Sequence, residues 1–222
     1  MVSSCTVPQK VNNMIYNIKR FSIQLLAVAF MGMMALSASA QAMPEPQALV
    51  KEASDNMLKA LKEHEAELEQ DPQKIFSLVQ DILIPHFDFE RMARLALGRS
   101  WRDASAEQQA KFVEEFRLLL VRTYATAMLE YTNEEIRFLP FRDDIEKGRV
   151  NVPMEVVQPN GPSIPMALSL YKNKNDEWKV YDVKIEGISL VTNYRSSFNR
   201  DIRTSGMDAL IENLSKRNDR AR

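Results

Sequence analysis

The hydrophobic pattern of this chain changes period at two places. From residue 45 to about 131, apolar residues recur every three or four positions, the spacing of helices with one buried stripe. Leu49, Val50, Ala53, Met57, Leu58 and Leu61 form such a stripe, and Lys51, Glu52, Lys59, Lys62 and Glu63 fall on the outer face. Asp71-Pro72 closes this helix and opens a second, in which Ile75, Phe76, Val79, Ile82 and Leu83 recur until Pro85 stops it. DFERMARLALG predicts a third, short helix capped by Asp88 and ended in a left-handed turn at Gly98. The fourth is the longest. Ser105 and Gln108 have the spacing of a capping box, and Phe112, Val113, Phe116, Leu119, Leu120, Tyr124 and Met128 give a broad apolar face that runs to about Tyr131.

After Asn133 the period drops to two. Strands are predicted over EIRFLPF (135–141), RVNVPMEVVQ (149–158), SIPMALSLYK (163–172) and EWKVYDVKIE (177–186). Pro159-Asn160-Gly161-Pro162 joins the middle pair as a hairpin, because Asn-Gly accepts positive φ. Alternation puts Val150, Val152, Met154 and Val156 on one face, Ile164, Met166, Leu168 and Leu170 on one face of the partner, and Tyr181, Val183 and Ile185 together on the last strand. Pro153 and Pro165 inside strand patterns predict edge positions or bulges, and hence a bent sheet. At Glu186-Gly187 the helical period returns with Ile188, Leu190, Val191, Tyr194 and Phe198. Helices over about 189–203 and 206–216 end the pattern, the last with Met207, Leu210, Ile211 and Leu214 inward. The fold class expected is α+β, a curved antiparallel sheet of about four strands covered by a helical layer.

The segment before residue 45 belongs to neither pattern. Lys10, Lys19 and Arg20 are its charges, no acidic residue precedes Glu45, and FSIQLLAVAFMGMMAL fills positions 21–36. Ala38-Ser39-Ala40 then offers a small-x-small cleavage site. This is the layout of a secretory signal peptide over 1–40, with Met14 an alternative start, leaving 41–222 as a single α+β domain. The apolar run is too short and wrongly flanked for a membrane anchor. Removing forty of the 222 residues leaves 182, enough for one real core. Three of the 29 basic residues go with the leader, so 26 face 30 acidic ones and the mature net charge is −4. An acidic chain without a long basic run has no electrostatic footprint for nucleic acid. Cys5, the one cysteine, precedes the apolar run, so the mature chain depends on its core rather than on disulfides. The location expected is the periplasm.

Catalytic parts are scarce. His64, in KEHEAELE, has no second histidine four residues on, so the zinc-protease pattern fails. His86, beside apolar residues and Asp88, is the one acid–base candidate, and no nucleophile accompanies it. No G-x-S-x-G, P-loop or G-x-G-x-x-G occurs. What the chain has instead is large apolar faces, rich in methionine, on both sheet and helices. These faces either pack solid or line an apolar cavity between the sheet and its covering helices; periodicity does not separate the two.

Two stretches carry a resemblance. YDVKIEGISLVTNYRSSF (181–198) and HFDFERMARLALGRSWRDASAEQQAKFVEEF (86–116) resemble the signature segments of the MlaC / toluene-tolerance family of periplasmic phospholipid-binding proteins. The resemblance implies a carrier and not an enzyme. It implies a glycerophospholipid as bound ligand, with acyl tails in an apolar pocket and the head group near solvent, and no cofactor or metal. It implies exchange with an inner-membrane ABC transporter carrying MCE-domain subunits and with an outer-membrane lipoprotein–porin complex, to maintain outer-membrane lipid asymmetry. Facing and spacing nominate Met92, Leu95, Phe116, Leu120, Tyr124, Met128, Val152, Met154, Met166, Leu168, Tyr181, Val183, Ile185, Leu190 and Val191 as pocket residues. Arg99, Arg102 and Arg195 are candidates for head-group or partner contact, since a guanidinium pairs with phosphate in a bidentate fashion. The alternatives are a small periplasmic enzyme acting on a hydrophobic substrate through His86 and Asp88, and a chaperone-like structural protein.

Overall fold

The computed structural model describes residues 42–129, 135–159 and 161–220. The expected leader, its cleavage point, Cys5, Tyr131, Asn133 and Asn160 lie outside them, and the described residues from Met43 onward pack as one compact unit. Helix α1 (Glu45–Glu63) starts behind Pro44 and stops at His64, whose backbone leaves the helical region (φ −106, ψ 14). The single helix expected as far as Asp71 is therefore two, the second being α2 (Glu65–Gln70). A 3₁₀ turn over Pro72–Lys74 leads into α3 (Ile75–Ile82), with the Asp71 carboxylate accepting the Gln73 N–H at 3.1 Å. A second 3₁₀ turn, Ile84–His86, contains Pro85 and precedes α4 (Phe89–Leu97). There Asp88 Oδ1 accepts the Arg91 N–H at 2.8 Å, the expected cap, which contributes about 1 kcal/mol. A single turn, α5 (Ser100–Asp103), precedes α6 (Ala106–Met128). The capping box forms in full: Ser105 Oγ accepts the Gln108 N–H at 3.2 Å while Gln108 Oε1 accepts the Ser105 N–H at 2.9 Å.

Five strands follow in the order of the chain: β1 (Glu135–Phe138), β2 (Arg149–Val157), β3 (Ile164–Lys172), β4 (Trp178–Ile185) and β5 (Ile188–Ser189). All neighbours are antiparallel, and the chain closes with α7 (Leu190–Ser205) and α8 (Met207–Arg220). The strand beyond the expected four comes from Glu186 and Gly187. Both have positive φ (50 and 80), the geometry of a two-residue hairpin, so Ile188 turns back to pair with Ile185 instead of opening a helix. Ile188 is thereby 61% exposed, and helical packing begins only at Leu190.

The two strand prolines lie where a neighbouring strand has run out. The carbonyl of Pro153 accepts from Leu139, just past the end of β1, and that of Pro165 accepts from Glu186, just past the end of β4. Along a strand a residue's N–H and C=O share one side, so each missing donor faces a position where no ladder continues. The prolines thus occupy local edges, beside the ends of neighbouring strands, rather than bulges. The bulge is elsewhere: Ser169 pairs with Asp182 but Leu170 with Val180, which leaves Tyr181 as the extra residue of β4.

That extra residue corrects one expected face. Val183 and Ile185 pair with Leu168 and Met166 on the apolar side, and Val180 and Trp178 regain that side beyond the bulge. Tyr181 instead joins Asp182 on the other side, where it meets the Tyr171 ring at 5.9 Å and packs against the helical core. The helical core is built from α4, α6, α7 and α8, with Phe112, Phe116, Ala93, Ala96 and Leu97 fully buried at its centre. A second cluster lies on the apolar sheet face under Val50 of α1, and a third joins the far half of α1 to α3 and α6 through Met57, Leu61, Ile75, Val79 and Ala125. Phe87 packs against both the helical core and the sheet cluster.

Candidate binding site

The apolar sheet face is the part of the molecule suited to a large apolar ligand. Its residues stand in cross-strand rows: Val150 with Leu170, Val152 with Leu168, Met154 with Met166, and Val156 with Ile164. Four successive rows of this kind are what period-two alternation predicts, and the register realises them. Burial along the face is uneven. Val150, Val152, Leu170, Trp178 and Val180 are at most 3% exposed and pack solid. Toward the other end of the strands Ile136, Phe138, Val156, Ile164, Met166, Val183 and Ile185 are only half-buried. Their apolar surface remains available, at about 25 cal/mol for each Å² that a ligand would cover.

Helices border the same region. The N-terminal half of α1 lies on the sheet through Leu49 and Val50, and the Gln47 side chain donates to the Leu139 carbonyl at 3.0 Å. Its C-terminal half joins α3 and α6, where Val121, Met128, Leu78, Ile82 and Leu83 are likewise half-buried. One helix therefore spans from the sheet face to a second partly covered apolar surface.

The nominated residues divide into four groups. Met166, Val183 and Ile185 lie on the half-covered sheet end, next to the better buried Met154 and Leu168, and Met128 lies in the α1–α3–α6 cluster. Val152 is fully buried on the sheet face. Met92, Phe116, Leu120, Leu190 and Val191 are buried, and all but Leu190 belong to the helical core, with Tyr124 and Tyr181 at its margin. Leu95 points outward on α4 and is 38% exposed. Although all four are pocket candidates, Val183 and Ile185 do not face Leu190 and Val191. Asp182, of the opposite parity to Val183, accepts the Val191 N–H at 3.2 Å, so α7 docks on the polar side of β4. Ile136, Phe138, Val156 and Ile164 are not among the candidates, although period two and the strand register put them on the same face.

Two further features frame the site. A cleft of about 310 Å³ is lined by Glu45, Ala48, Leu49, Glu52, Asn56 and His86. It is not the apolar cavity expected between sheet and helices. Its size is at the lower bound for ligand pockets, and its wall carries two carboxylates. Burial holds the His86 imidazole below its ordinary pKa, the charge of Lys179 adds to this, and Glu52 opposes it. Asp88 is committed to structure, as the cap of α4 and as acceptor of the Tyr171 hydroxyl, and burial followed by the Asp88 contact raises the Tyr171 pKa. Arg91 lies over the Tyr171 ring at 3.8 Å and the Tyr181 ring at 5.2 Å, with its Nε buried and without a hydrogen-bond partner.

Arg99, Arg102 and Arg195 are exposed on the helical side. Arg195 lies flat on Gly98: a Cβ added there would sit 2.7 Å from its Nε and Nη2. The two sequence segments that carry the resemblance therefore meet at this contact. Among the described residues no helix is long and apolar enough to cross a membrane.

The family model described as MlaC protein matches residues 51–216. The intermembrane phospholipid transport system binding protein MlaC of Haemophilus influenzae is 26% identical over 173 residues, covering 77% of this chain and 81% of the relative. The toluene tolerance protein ttg2D of Pseudomonas putida is 29% identical over 164 residues, covering 73% and 75%. Among solved structures, the phospholipid-binding protein from Ralstonia solanacearum in complex with a phospholipid superposes with a TM-score of 0.74 at 34% identity, over 80% of this chain and 99% of that one.

Proposed function

As this chain belongs to the MlaC family, which its match over residues 51–216 establishes, we propose that it is a periplasmic phospholipid carrier. The observation that carries this reading is the likeness, over 99% of its length, to a protein solved with a phospholipid bound. The acyl tails lie against the half-covered end of the sheet, on Met166, Val183 and Ile185, and extend toward the partly covered surface of α3 and α6 around Met128. Each methylene withdrawn from water contributes about 0.8 kcal/mol, so two long chains drive loading without any covalent step. Loading parts α1, which lies on the sheet through Leu49 and Val50, from that face. Release then requires a partner that holds the opened state.

The partners in this reading are an inner-membrane ABC transporter with MCE-domain subunits and an outer-membrane lipoprotein–porin complex; the name of the Haemophilus influenzae relative, a transport system binding protein, supports exchange with such a system. Shuttling between them maintains outer-membrane lipid asymmetry. Residues 1–40 serve as the export signal, removed near Ala40. No residue of the chain is assigned a catalytic role.

Native mass spectrometry together with organic extraction, on protein purified from its own periplasm, tests the proposal. Stoichiometric two-chain phospholipid is expected. Protein that remains empty after exposure to phospholipid vesicles would overturn it, as would turnover of a hydrophobic substrate that disappears in His86→Ala.

A further inference from the structure

The exposed charge of this chain is not evenly paired. About half of its described cations sit beside a carboxylate, as in Lys51–Asp55, Arg94–Glu90 and Lys111–Glu107. Arg99, Arg102 and Arg195 do not: among the described residues none of the three has an ion pair or a side-chain hydrogen bond. They are also close together. Arg195 rests on Gly98, Arg99 is the next residue, and Arg102 is on the following turn, its N–H donating to the Arg99 carbonyl at 3.1 Å. Leu95, one turn earlier on α4, is one of the few large apolar side chains left exposed. Asp103 is the nearest carboxylate in the chain and forms no ion pair with them.

We propose that Arg99, Arg102 and Arg195 form a docking surface for an anionic phospholipid bilayer, with Leu95 entering the head-group layer. The proposal rests on the carrier reading and adds to it how the molecule meets a membrane. Charge complementarity selects the occupant. A guanidinium fork matches a phosphodiester, three such forks without internal partners leave their donors free, and an adjacent exposed leucine suits an interface with an apolar floor. The mature chain is acidic on balance, with a net charge of −4, so a local cluster of unpaired arginines is what an anionic surface attracts. Screening confines the attraction to about 8 Å, which makes the patch an orienting contact rather than a long-range one. A bilayer then meets α4, α5 and α7, not the sheet.

The test is flotation of periplasm-purified protein with vesicles of phosphatidylcholine alone or mixed with phosphatidylglycerol. Binding to the mixed vesicles is expected to exceed binding to the neutral ones and to fall as salt is raised. Each arginine strengthens such binding roughly fivefold, so Arg99→Gln with Arg102→Gln weakens it about 25-fold. This double variant leaves the Arg195–Gly98 contact in place, and its lipid content after extraction is expected to match the parent protein. Equal binding to both vesicle types, or no change in the double variant, overturns the proposal and assigns the patch to an acidic protein partner instead. Val183→Glu separates the two readings. Loss of lipid content with vesicle binding retained leaves the patch standing even where the pocket has been misplaced.

Discussion

Gly98→Ala tests the joint between the two segments that characterise this chain. Gly98 has φ 58 and ψ −114, outside the left-handed helical well as well as at positive φ, so an alanine there strains the backbone by about 1–3 kcal/mol. The new Cβ also meets the Arg195 guanidinium at 2.7 Å. Because that group is the end of a flexible side chain, it swings away, and the lost packing adds up to about 1 kcal/mol. The sum, about 1–4 kcal/mol, is a sizeable share of the roughly 5–15 kcal/mol that stabilises a domain. Urea unfolding followed by circular dichroism reads it directly, and the melting temperature is expected to fall by on the order of 10 °C for a chain of this size. Repeating the substitution in an Arg195→Ala background separates the two costs. The clash is then absent, and Gly98→Ala should cost about 1 kcal/mol less than in the parent. A loss below about 0.5 kcal/mol, the level of an ordinary surface change, would refute the reasoning.

Three further outcomes follow. Val183→Glu places a charge on the half-covered sheet end and should abolish lipid retention with a near-normal far-UV spectrum, whereas Phe116→Ala in the helical core should cost about 3–5 kcal/mol by urea unfolding yet leave lipid per folded molecule unchanged. Asp182→Ala removes the acceptor of the buried Val191 N–H and should destabilise by about 1–3 kcal/mol, with Asp182→Asn milder because its amide oxygen still accepts. His86 has a lowered pKa in the folded state, so the unfolded chain binds its proton first: stability is full above the unfolded value of about 6.5 and is lost as pH falls through the folded value. The urea midpoint should therefore drop on acidification below about pH 6.5, and His86→Gln should flatten that part of the profile.

Most of this architecture is legible in the residues because local rules fix it. Ser105 with Gln108, Asp88 before its helix, and the matched faces of β2 and β3 each depend on neighbours within a few positions or on strict alternation. What was not legible depends on pairing across strands. Tyr181 alternates correctly with Val183 and Ile185 in one dimension, yet the bulge opposite Ser169 and Leu170 turns it to the other side. Ile188 fits a helical stripe, but two successive positive φ angles at Glu186 and Gly187 fold it back as a strand. Met92, Phe116 and Leu120 have the character of pocket residues, and only the arrangement of α4, α6, α7 and α8 around them makes them core. The half-covered end of the sheet was legible as a face but not as an opening, since coverage is decided by where α1 crosses it.

A carrier whose interior is split into three clusters does not have to loosen all at once. Amide exchange in such a molecule is expected to fall into tiers, because each cluster can open at its own free energy. The amides around Phe112 and Phe116 should exchange last and set the global limit. Those of Ile136, Val156 and Ile164 should exchange first, through fluctuations that leave the helical bundle intact. Phe87, which touches two clusters, stands where such a fluctuation stops. The molecule can thus breathe at one end and keep time at the other, and occupancy by a ligand should be read as slowed exchange confined to the breathing end.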